Sequence, residues 1–332
     1  MTKGPVAPIG RIPITSLKPE VDGGLYPAKA YLGEVIVFGA TVFREGHDAV
    51  GAEVILTSPA GKKRIVRIQE SFGGSDFFET QFQIDEIGTW EFQIRSFSDD
   101  YRTWQHNAKV KIAAGQDADL MILEGLALLK TAASESNRTQ QSLDIINKLV
   151  MVFEDPTSSP SKKLAEAESS DVVQMFTQEP IRSLETLSQV RRVLAERKLA
   201  GYGNWYEFFP RSEGAEKKPD GSFTSGNFRT AIKRLSAVAD MGFDILYLPP
   251  IHPIGKAFRK GPNNSLTAGE NDPGSPWAIG SEHGGHDAIH PDLGTENDFV
   301  AFVKAANELG IEIALDFALQ ASPDHPWVKS NP

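Results

Sequence analysis

The last third of the chain contains one unit twice: an amphipathic helix, a glycine and a short apolar strand. The first unit has Gly242 and the apolar run 243–248, and the second has Gly310 and the run 311–315. The apolar side chains before each glycine recur at helical spacing, at Phe228, Ala231, Ile232, Leu235 and Ala239 and then at Phe299, Phe302, Val303 and Ala306. Parallel strands are buried on both faces and are joined by helices. The repeat therefore predicts a parallel sheet.

An aromatic run at 205–209 precedes the two units and supplies a first strand. Three strands and two helices are fewer than half of an eightfold barrel. We therefore predict that residues 201–332 form the start of a (β/α)8 TIM barrel, which stops after its third strand. Because three strands cannot close a barrel, this sheet should have an open edge.

Residues 28–115 have a different composition, rich in β-branched and aromatic residues and interrupted by turn sequences. Alternating runs at 34–38, 64–68 and 89–94 can each bury one face of a strand. Several short strands separated by turns are typical of a β-sandwich. We predict an immunoglobulin-like β-sandwich over 28–115, preceded by an N-terminal extension at 1–27.

Residues 116–200 contain few aromatic residues and glycines, and their apolar residues recur at helical spacing. One stripe is formed by Leu143, Ile146, Val150 and Phe153, and another by Ile181, Leu184, Leu187 and Leu194. Stripes of this kind are the buried faces of packed helices. We predict a helical bundle insert here, so that the chain is multi-domain.

The composition excludes several classes of partner. The 332 residues carry a formal net charge of −10, and such a surface repels both nucleic acid and anionic membranes. The chain has no cysteine, so neither a disulfide nor a thiolate metal site can form. The first residues lack the apolar core of a signal peptide, and no apolar run approaches the ~18 residues of a membrane span. We expect a cytoplasmic protein that binds neither nucleic acid nor membranes.

The loops after the predicted strands are the places to look for chemistry, because barrel enzymes carry their working residues at the carboxyl ends of strands. The loop at 249–294 exceeds the usual ~2–6 residues several-fold, and loops of that length are more often functional than filler. His283, His286 and His290 lie in its glycine-rich part, where neither one helix face nor a tight acidic pattern completes a metal site. No GxGxxG sequence is present for a nucleotide. We expect no metal and no cofactor.

Three segments, 206–211, 253–264 and 316–327, carry a family resemblance. With them the chain resembles, over nearly its whole length, the maltosyltransferases that extend α-1,4-glucans from maltose 1-phosphate, a branch of the α-amylase-like glycoside hydrolase clan. That clan usually has Asp-x-x-x-Asn-His at the third strand, whereas this chain has Asp316-Phe-Ala-Leu-Gln320-Ala. The loss of the Asn and His argues against ordinary amylase hydrolysis, and the Gln form is similar to the maltosyltransferase branch.

The resemblance implies a retaining glycosyltransferase, in which one carboxylate attacks the anomeric carbon and a second carboxylic acid protonates the leaving phosphate. In the clan these carboxylates follow the fourth and fifth strands, and a third acidic residue follows the seventh. The chain ends at Pro332, before all three, so no catalytic residue is expected in it and the chain alone should be inactive. Asp316 is then expected to shape the site through hydrogen bonds to neighbouring loops.

The resemblance also implies that Lys260 and Gln320 bind the sugar phosphate donor, because the family uses a Lys and a Gln at these positions. A lysine suits an anionic ligand, and a glutamine both donates to and accepts from hydroxyls. By composition alone, Lys256, Arg259 and Lys260 equally form a solvated basic cluster. The implied partners are α-maltose 1-phosphate, an α-1,4-glucan such as glycogen, and a second copy in a homodimer.

Two other functions remain open at this stage. One is an α-amylase-like hydrolase or a trehalose-forming enzyme, which would use the same barrel. The other is a non-catalytic module that binds glucan or dimerises, because β-sandwiches beside barrels of this clan often bind polysaccharide.

Overall fold

The computed structural model describes residues 10–331, which divide into two compact units after Gly201. The first nine residues of the predicted N-terminal extension lie outside the described residues, as does Pro332. None of the helices between residues 10 and 331 is long and apolar enough to cross a bilayer.

The first unit contains a nine-stranded sheet with a group of helices inserted into it. Its strands are β1 Ile14–Lys18, β2 Ala28–Tyr31, β3 Val35–Val42, β4 Val50–Thr57, β5 Lys63–Glu70, β6 Phe77–Gln83, β7 Gly88–Asp99, β8 Arg182–Leu187 and β9 Arg191–Glu196. Its helices are α1 Asp100–Ala113, α2 Ala118–Ser134, α3 Gln140–Glu154, α4 Pro160–Ala167, α5 Ser170–Gln178 and α6 Lys198–Gly201, with a 3-10 turn at Asp22–Gly24.

The sheet has the order β1-β3-β6-β5-β4-β7-β9-β2, and β8 also pairs with β7. All pairs are antiparallel except β2 with β9. The sheet folds over on itself, because Phe38 of β3 packs edge-to-face on Phe92 of β7 with ring centroids 4.9 Å apart, although these strands are not neighbours. Alternation puts Trp90, Phe92 and Ile94 of β7 into the single core between the two layers.

Two segment boundaries in the first unit differ from those predicted from the sequence. The extension predicted at 1–27 contains β1, in which Ile14 pairs with Val42 of β3. This segment was missed because its apolar alternation is too short to stand out. The β-sandwich predicted over 28–115 is interrupted at Asp99, whose side chain accepts a hydrogen bond from the Arg102 backbone at 3.2 Å and so caps α1; the sheet resumes with β8 and β9 after the helices.

The prediction of a second helical stripe, over residues 181–194, is wrong. Residues 182–187 and 191–196 form β8 and β9, and both pair with β7. In β9 the buried residues Val193 and Ala195 alternate with more exposed neighbours, which is the period of a strand. The unpaired edge of β7 accepts these segments, and such tertiary pairing overrides local helical spacing.

The helices α1 to α5 enclose a core of their own. It is formed mainly by large apolar side chains, among them Tyr101, Trp104, Leu129, Ile146, Leu149, Phe153 and Phe176. Gly125 makes room for the Trp104 ring, because a Cβ at Gly125 would lie 2.3 Å from that ring. The Trp104 Nε1 donates to the Met121 carbonyl at 2.7 Å, so the buried indole has a partner. The helical region therefore spans 100–178 rather than the predicted 116–200.

The second unit contains a three-stranded parallel sheet. Its elements are β10 Trp205–Glu207, β11 Glu216–Lys217, β12 Phe223–Thr224, α7 Phe228–Asp240, β13 Ile245–Leu248, α8 Glu296–Glu308, β14 Glu312–Leu315 and α9 Pro326–Ser330, with 3-10 turns at Pro262–Asn264 and Pro291–Leu293. The strands pair in the order β10-β13-β14, in parallel as predicted. Helices α7 and α8 each begin with a capping box, at Asn227 and Thr295.

We predict that Glu53→Ala lowers the free energy of unfolding by about 3–5 kcal/mol, because it leaves two guanidinium groups without their carboxylate. Glu53 is buried in β4; its Oε2 accepts from the Arg95 Nη2 at 2.8 Å and its Oε1 from the Arg182 Nη2 at 2.6 Å. Urea unfolding followed by the change in tryptophan fluorescence measures this loss. The control is Glu185→Ala, whose exposed carboxylate lies 3.4 Å from Arg95 and should contribute less than about 1 kcal/mol. Equal losses in both variants would contradict the prediction.

Candidate functional site

The candidate site lies at the carboxyl ends of β13 and β14, in the second unit. The segment 249–295 joins β13 to α8, and 316–325 follows β14. Because the two strands are parallel neighbours, both segments leave the sheet at the same edge. We call them the first loop and the second loop, and the structure shows them interlocked.

Asp324 of the second loop joins the first loop through two backbone hydrogen bonds. Its Oδ2 accepts from the Lys256 N at 2.6 Å and from the Ala257 N at 2.7 Å. These two bonds lower the pKa of Asp324, which keeps the carboxylate charged at neutral pH. The start of the first loop is therefore fixed to the end of the second.

A pair of histidines forms the second link. His286 Nδ1 lies 3.0 Å from His325 Nε2, and His286 Nε2 lies 2.7 Å from the Ala318 carbonyl. The His325 Nδ1 accepts from the Trp327 N at 3.1 Å. These partners fix both tautomers: His325 donates from Nε2 to His286, and His286 donates from Nε2 to Ala318. Burial lowers the pKa of His325, and the neighbouring His286 lowers it further, so His325 is neutral at pH 7.

Two glycines of the first loop allow His325 to enter it. A Cβ at Gly285 would lie 2.2 Å from the His325 Nε2, and a Cβ at Gly280 would lie 2.5 Å from the His325 side chain. Gly280 also has φ +111°, which side chains rarely adopt. The glycine-rich composition of this loop thus has a packing reason.

Asp316 lies at the end of β14 and bonds to the first loop, which agrees with the site-shaping role expected of it. Its Oδ2 accepts from the Trp277 Nε1 at 2.6 Å. A hydrogen bond to Asp316 also raises the pKa of Tyr247 to about 12. Asp316 therefore holds the long loop against the strand ends.

The three basic side chains of the cluster have different hydrogen-bond partners. Lys256 Nζ pairs with Glu282 Oε1 at 2.7 Å. Arg259 donates to three backbone carbonyls, those of Ile254, Gly255 and Asp272, and so organises the loop. Lys260 is exposed and makes no hydrogen bond or ion pair with residues 10–331. Of these three cations, Lys260 is the one without a partner among the described residues.

Gln320 is exposed in the second loop and likewise has no hydrogen bond to another described residue. The structure thus puts both predicted donor-binding residues on loops that emerge from the same sheet edge. Asp324 and His325, which link the two loops, were not predicted from the sequence. Their contacts join residues far apart in the chain, and the only local signal was that 316–327 is one of the segments that carry the family resemblance.

The histidines weighed as metal ligands have separate surroundings. His286 belongs to the pair described above, and His283 is exposed next to Glu282 at 3.9 Å. His290 Nδ1 accepts from the Asp292 N at 3.1 Å and caps a 3-10 turn. Within the described residues, no three His, Asp or Glu side chains come together in a metal-binding group.

Comparison with known proteins identifies the family. The family described as alpha-1,4-glucan:maltose-1-phosphate maltosyltransferase, domain N/S, matches residues 10–197, which is more than half of the chain. The chain belongs to this maltosyltransferase family.

Its relatives agree with the assignment. Alpha-1,4-glucan:maltose-1-phosphate maltosyltransferase 1 of Streptomyces coelicolor is 47% identical over 325 residues, which cover 98% of this chain and 47% of the relative. The enzymes of Corynebacterium pseudotuberculosis and Mycobacterium tuberculosis are 43% and 40% identical over 97% of this chain and cover 48% and 49% of their own lengths. The chain thus spans about half the length of the curated relatives it matches.

A solved trehalose-6-phosphate hydrolase from Bacillus licheniformis overlaps 38% of this chain and 19% of its own at 22% identity. Its TM-score of 0.26 is too low to support an argument about fold or function.

We predict that Asp324→Ala frees the start of the first loop, because the Lys256 and Ala257 amides lose their shared acceptor. Hydrogen exchange of these two amides should accelerate about tenfold or more. The control is Asp220→Ala, which removes a similar bond, to the Ser222 N at 3.0 Å, in the turn between β11 and β12. Unchanged exchange at 256 and 257 in Asp324→Ala would show that the interlock does not depend on this carboxylate.

We also predict that the second unit loses stability as the pH falls from about 6.5 toward 4. Burial, and next to it Arg211, lower the pKa of His290 to about 4, whereas Asp292 opposes the shift. Between these pH values His290 takes up a proton more readily in the unfolded chain than in the native state. The free energy of unfolding therefore decreases as the pH falls, by about 1–2 kcal/mol from pH 7 to pH 5. His290→Asn keeps an acceptor for the Asp292 N but does not titrate. Its second-unit stability, measured by hydrogen exchange, should depend less on pH than that of the wild type; an unchanged slope would contradict the assignment.

Proposed function

We propose that this chain forms half of a maltosyltransferase that moves maltosyl units from α-maltose 1-phosphate to the non-reducing end of α-1,4-glucans and releases phosphate. The observation that carries this proposal is the 40–47% identity to enzymes of that name over 97–98% of the chain. The Gln320 form of the third-strand segment and the unpaired Lys260 support it.

The proposed mechanism is retaining transfer. A carboxylate attacks the anomeric carbon with release of phosphate, and the acceptor hydroxyl then displaces the carboxylate with the same stereochemistry. We propose that these carboxylates belong to barrel strands beyond the three present here, so that the chain contributes donor binding rather than covalent chemistry. In this proposal the three parallel strands begin a (β/α)8 barrel, and the folded-over sheet is an immunoglobulin-like sandwich.

The donor phosphate is the group that Lys260 would bind in this proposal. An ammonium group without a protein partner can give its three donors to phosphate oxygens. Gln320, from the neighbouring loop, would donate to and accept from sugar hydroxyls. The interlock through Asp324 and the histidine pair would hold both loops in place before the donor arrives, which reduces the entropy lost on binding.

The test is an assay of the complete enzyme with α-maltose 1-phosphate and a maltooligosaccharide acceptor. We expect phosphate release together with acceptors lengthened by two glucose units. Release of free maltose without lengthening would indicate a hydrolase instead, and formation of trehalose would indicate a trehalose-forming enzyme. Purified 1–332 should give no turnover, because two carboxylates roughly 5–5.5 Å apart are needed.

We predict that Lys260→Ala in the complete enzyme lowers kcat/KM for the donor by about 10- to 150-fold, because a charged contact of about 1.5–3 kcal/mol is lost. Gln320→Ala should cost less, on the order of 1 kcal/mol, since it removes a neutral hydrogen bond. Lys256→Ala is the control, because it has the same charge and lies in the same loop but pairs with Glu282. Steady-state kinetics of the three variants measure these losses. If kcat/KM for the donor falls no more in Lys260→Ala than in Lys256→Ala, the cluster is only a solvated basic surface.

We further propose that the complete enzyme is a cytoplasmic homodimer that assembles through the sandwich and the bundle. Light scattering of the complete enzyme at tens of micromolar should give twice the monomer mass. A monomer at that concentration would overturn the proposal.

A further inference from the structure

The first unit contains a cleft of about 780 Å³ that the proposed function does not use. It lies where the ends of β3, β5 and β7 meet helices α1 and α5. Its lining is contributed by 42–44, 46–50, 67–70, Asp76, Phe78, Asp99, 101–103, 105–106, Val173, Phe176 and Thr177. A volume of this size is within the range of about 300–1,000 Å³ that small-molecule sites occupy.

Two arginines in the lining converge on the junction between β7 and α1. The Arg44 Nη1 donates to the Ser98 Oγ at 2.9 Å, and the Arg67 Nη2 donates to the Asp99 Oδ2 at 3.1 Å. The side chain of Arg44 is 11% exposed and that of Arg67 is 18% exposed. The Arg44 Nε and the Arg67 Nη1 are buried and have no acceptor among the described residues. Because these two nitrogens are closed to solvent, a ligand in the cleft would reach the arginines through the remaining Nη hydrogens, beside the bonds to Ser98 and Asp99 and the Arg44–Asp48 ion pair at 3.1 Å.

The charges of the lining exclude a strongly anionic ligand. Besides Arg44, Arg67 and Arg102, the cleft is lined by four carboxylates, those of Asp48, Glu70, Asp76 and Asp99. A phosphate would satisfy the arginines but would be repelled by these acids. Hydroxyl groups can accept from the guanidinium groups and also donate to the carboxylates. The side chains thus favour a neutral ligand that carries many hydroxyls.

One aromatic side chain in the lining is open to such a ligand. Phe43, just after β3, is 41% exposed, whereas the other aromatic residues of the lining are buried. A ring in this situation can pack against the apolar face of a sugar while polar groups bind its hydroxyls.

We propose that this cleft binds a neutral oligosaccharide, whose oxygens accept from Arg44 and Arg67 and whose hydroxyls donate to the acidic residues. The ligand class follows from the cleft alone. The choice of an α-1,4-linked sugar as the probe rests on the proposed function.

The test measures maltotriose binding to the full chain by titration calorimetry. Thr177→Phe introduces a ring at an exposed lining position of α5, and Gln174→Phe introduces the same ring at an exposed position of α5 outside the lining. Thr177→Phe should weaken binding about tenfold or more, and Gln174→Phe should leave it unchanged. Circular dichroism melting curves check that both variants fold.

A second pair of variants tests the arginine donors of the cleft. Arg44→Gln should also weaken binding, whereas Arg64→Gln should not, because Arg64 lies outside the cleft and pairs with Asp85 at 2.8 Å. Absence of maltotriose binding, or equal binding in both members of each pair, would overturn the proposal. So would displacement of the sugar by inorganic phosphate, since that would indicate an anion site.

The outcome is separable from that of the proposed function. Lys260→Ala should leave maltotriose binding at the cleft unchanged, and an enzyme that fails to transfer maltosyl units can still bind the sugar here. Conversely, if the enzyme transfers maltosyl units but Thr177→Phe does not change sugar binding, the cleft site is ruled out and the proposed function stands.

Discussion

Strand β7 is the constraint on which the first unit depends. It pairs with β4 along one edge and with both β8 and β9 along the other, and its side chains Trp90, Phe92 and Ile94 fill the core between the layers. Its last residue, Asp99, caps α1 and accepts from Arg67. Core packing, sheet order and the start of the helical region therefore all depend on one strand.

The second unit follows a different principle, in which loops rather than strands determine the geometry. Three short parallel strands give little area for pairing, yet the two loops at their carboxyl ends are held by a carboxylate, a histidine pair and the bond between Asp316 and Trp277. Side chains that must contact a ligand are most effective when their supporting groups are already in place. Lys260 and Gln320 are exposed on this ordered base.

The sequence predicted those parts of the fold that depend on local pattern. The repeated helix, glycine and apolar strand led to the parallel sheet, and alternation led to β3, β5 and β7 of the first unit. The strands β8 and β9 could not be recognised, because their identity depends on the free edge of β7, far away in the chain. Similarly, composition alone puts Lys256 and Lys260 into one basic cluster, and the contact of Lys256 with Glu282 distinguishes them in the structure. The histidine pair joins residues 39 apart in the chain, and no local pattern in the sequence brings them together.

The helical region enters and leaves the sheet at directly opposed residues, because Asp99 at the end of β7 pairs with Arg182 at the start of β8. Topologically, residues 100–181 are thus the connection of a β-hairpin, enlarged to the size of a small domain. Insertions at a hairpin end leave strand register untouched, since the flanking pairs fix it on their own. The helical segment can therefore change in length without shifting the register of the strands that flank it.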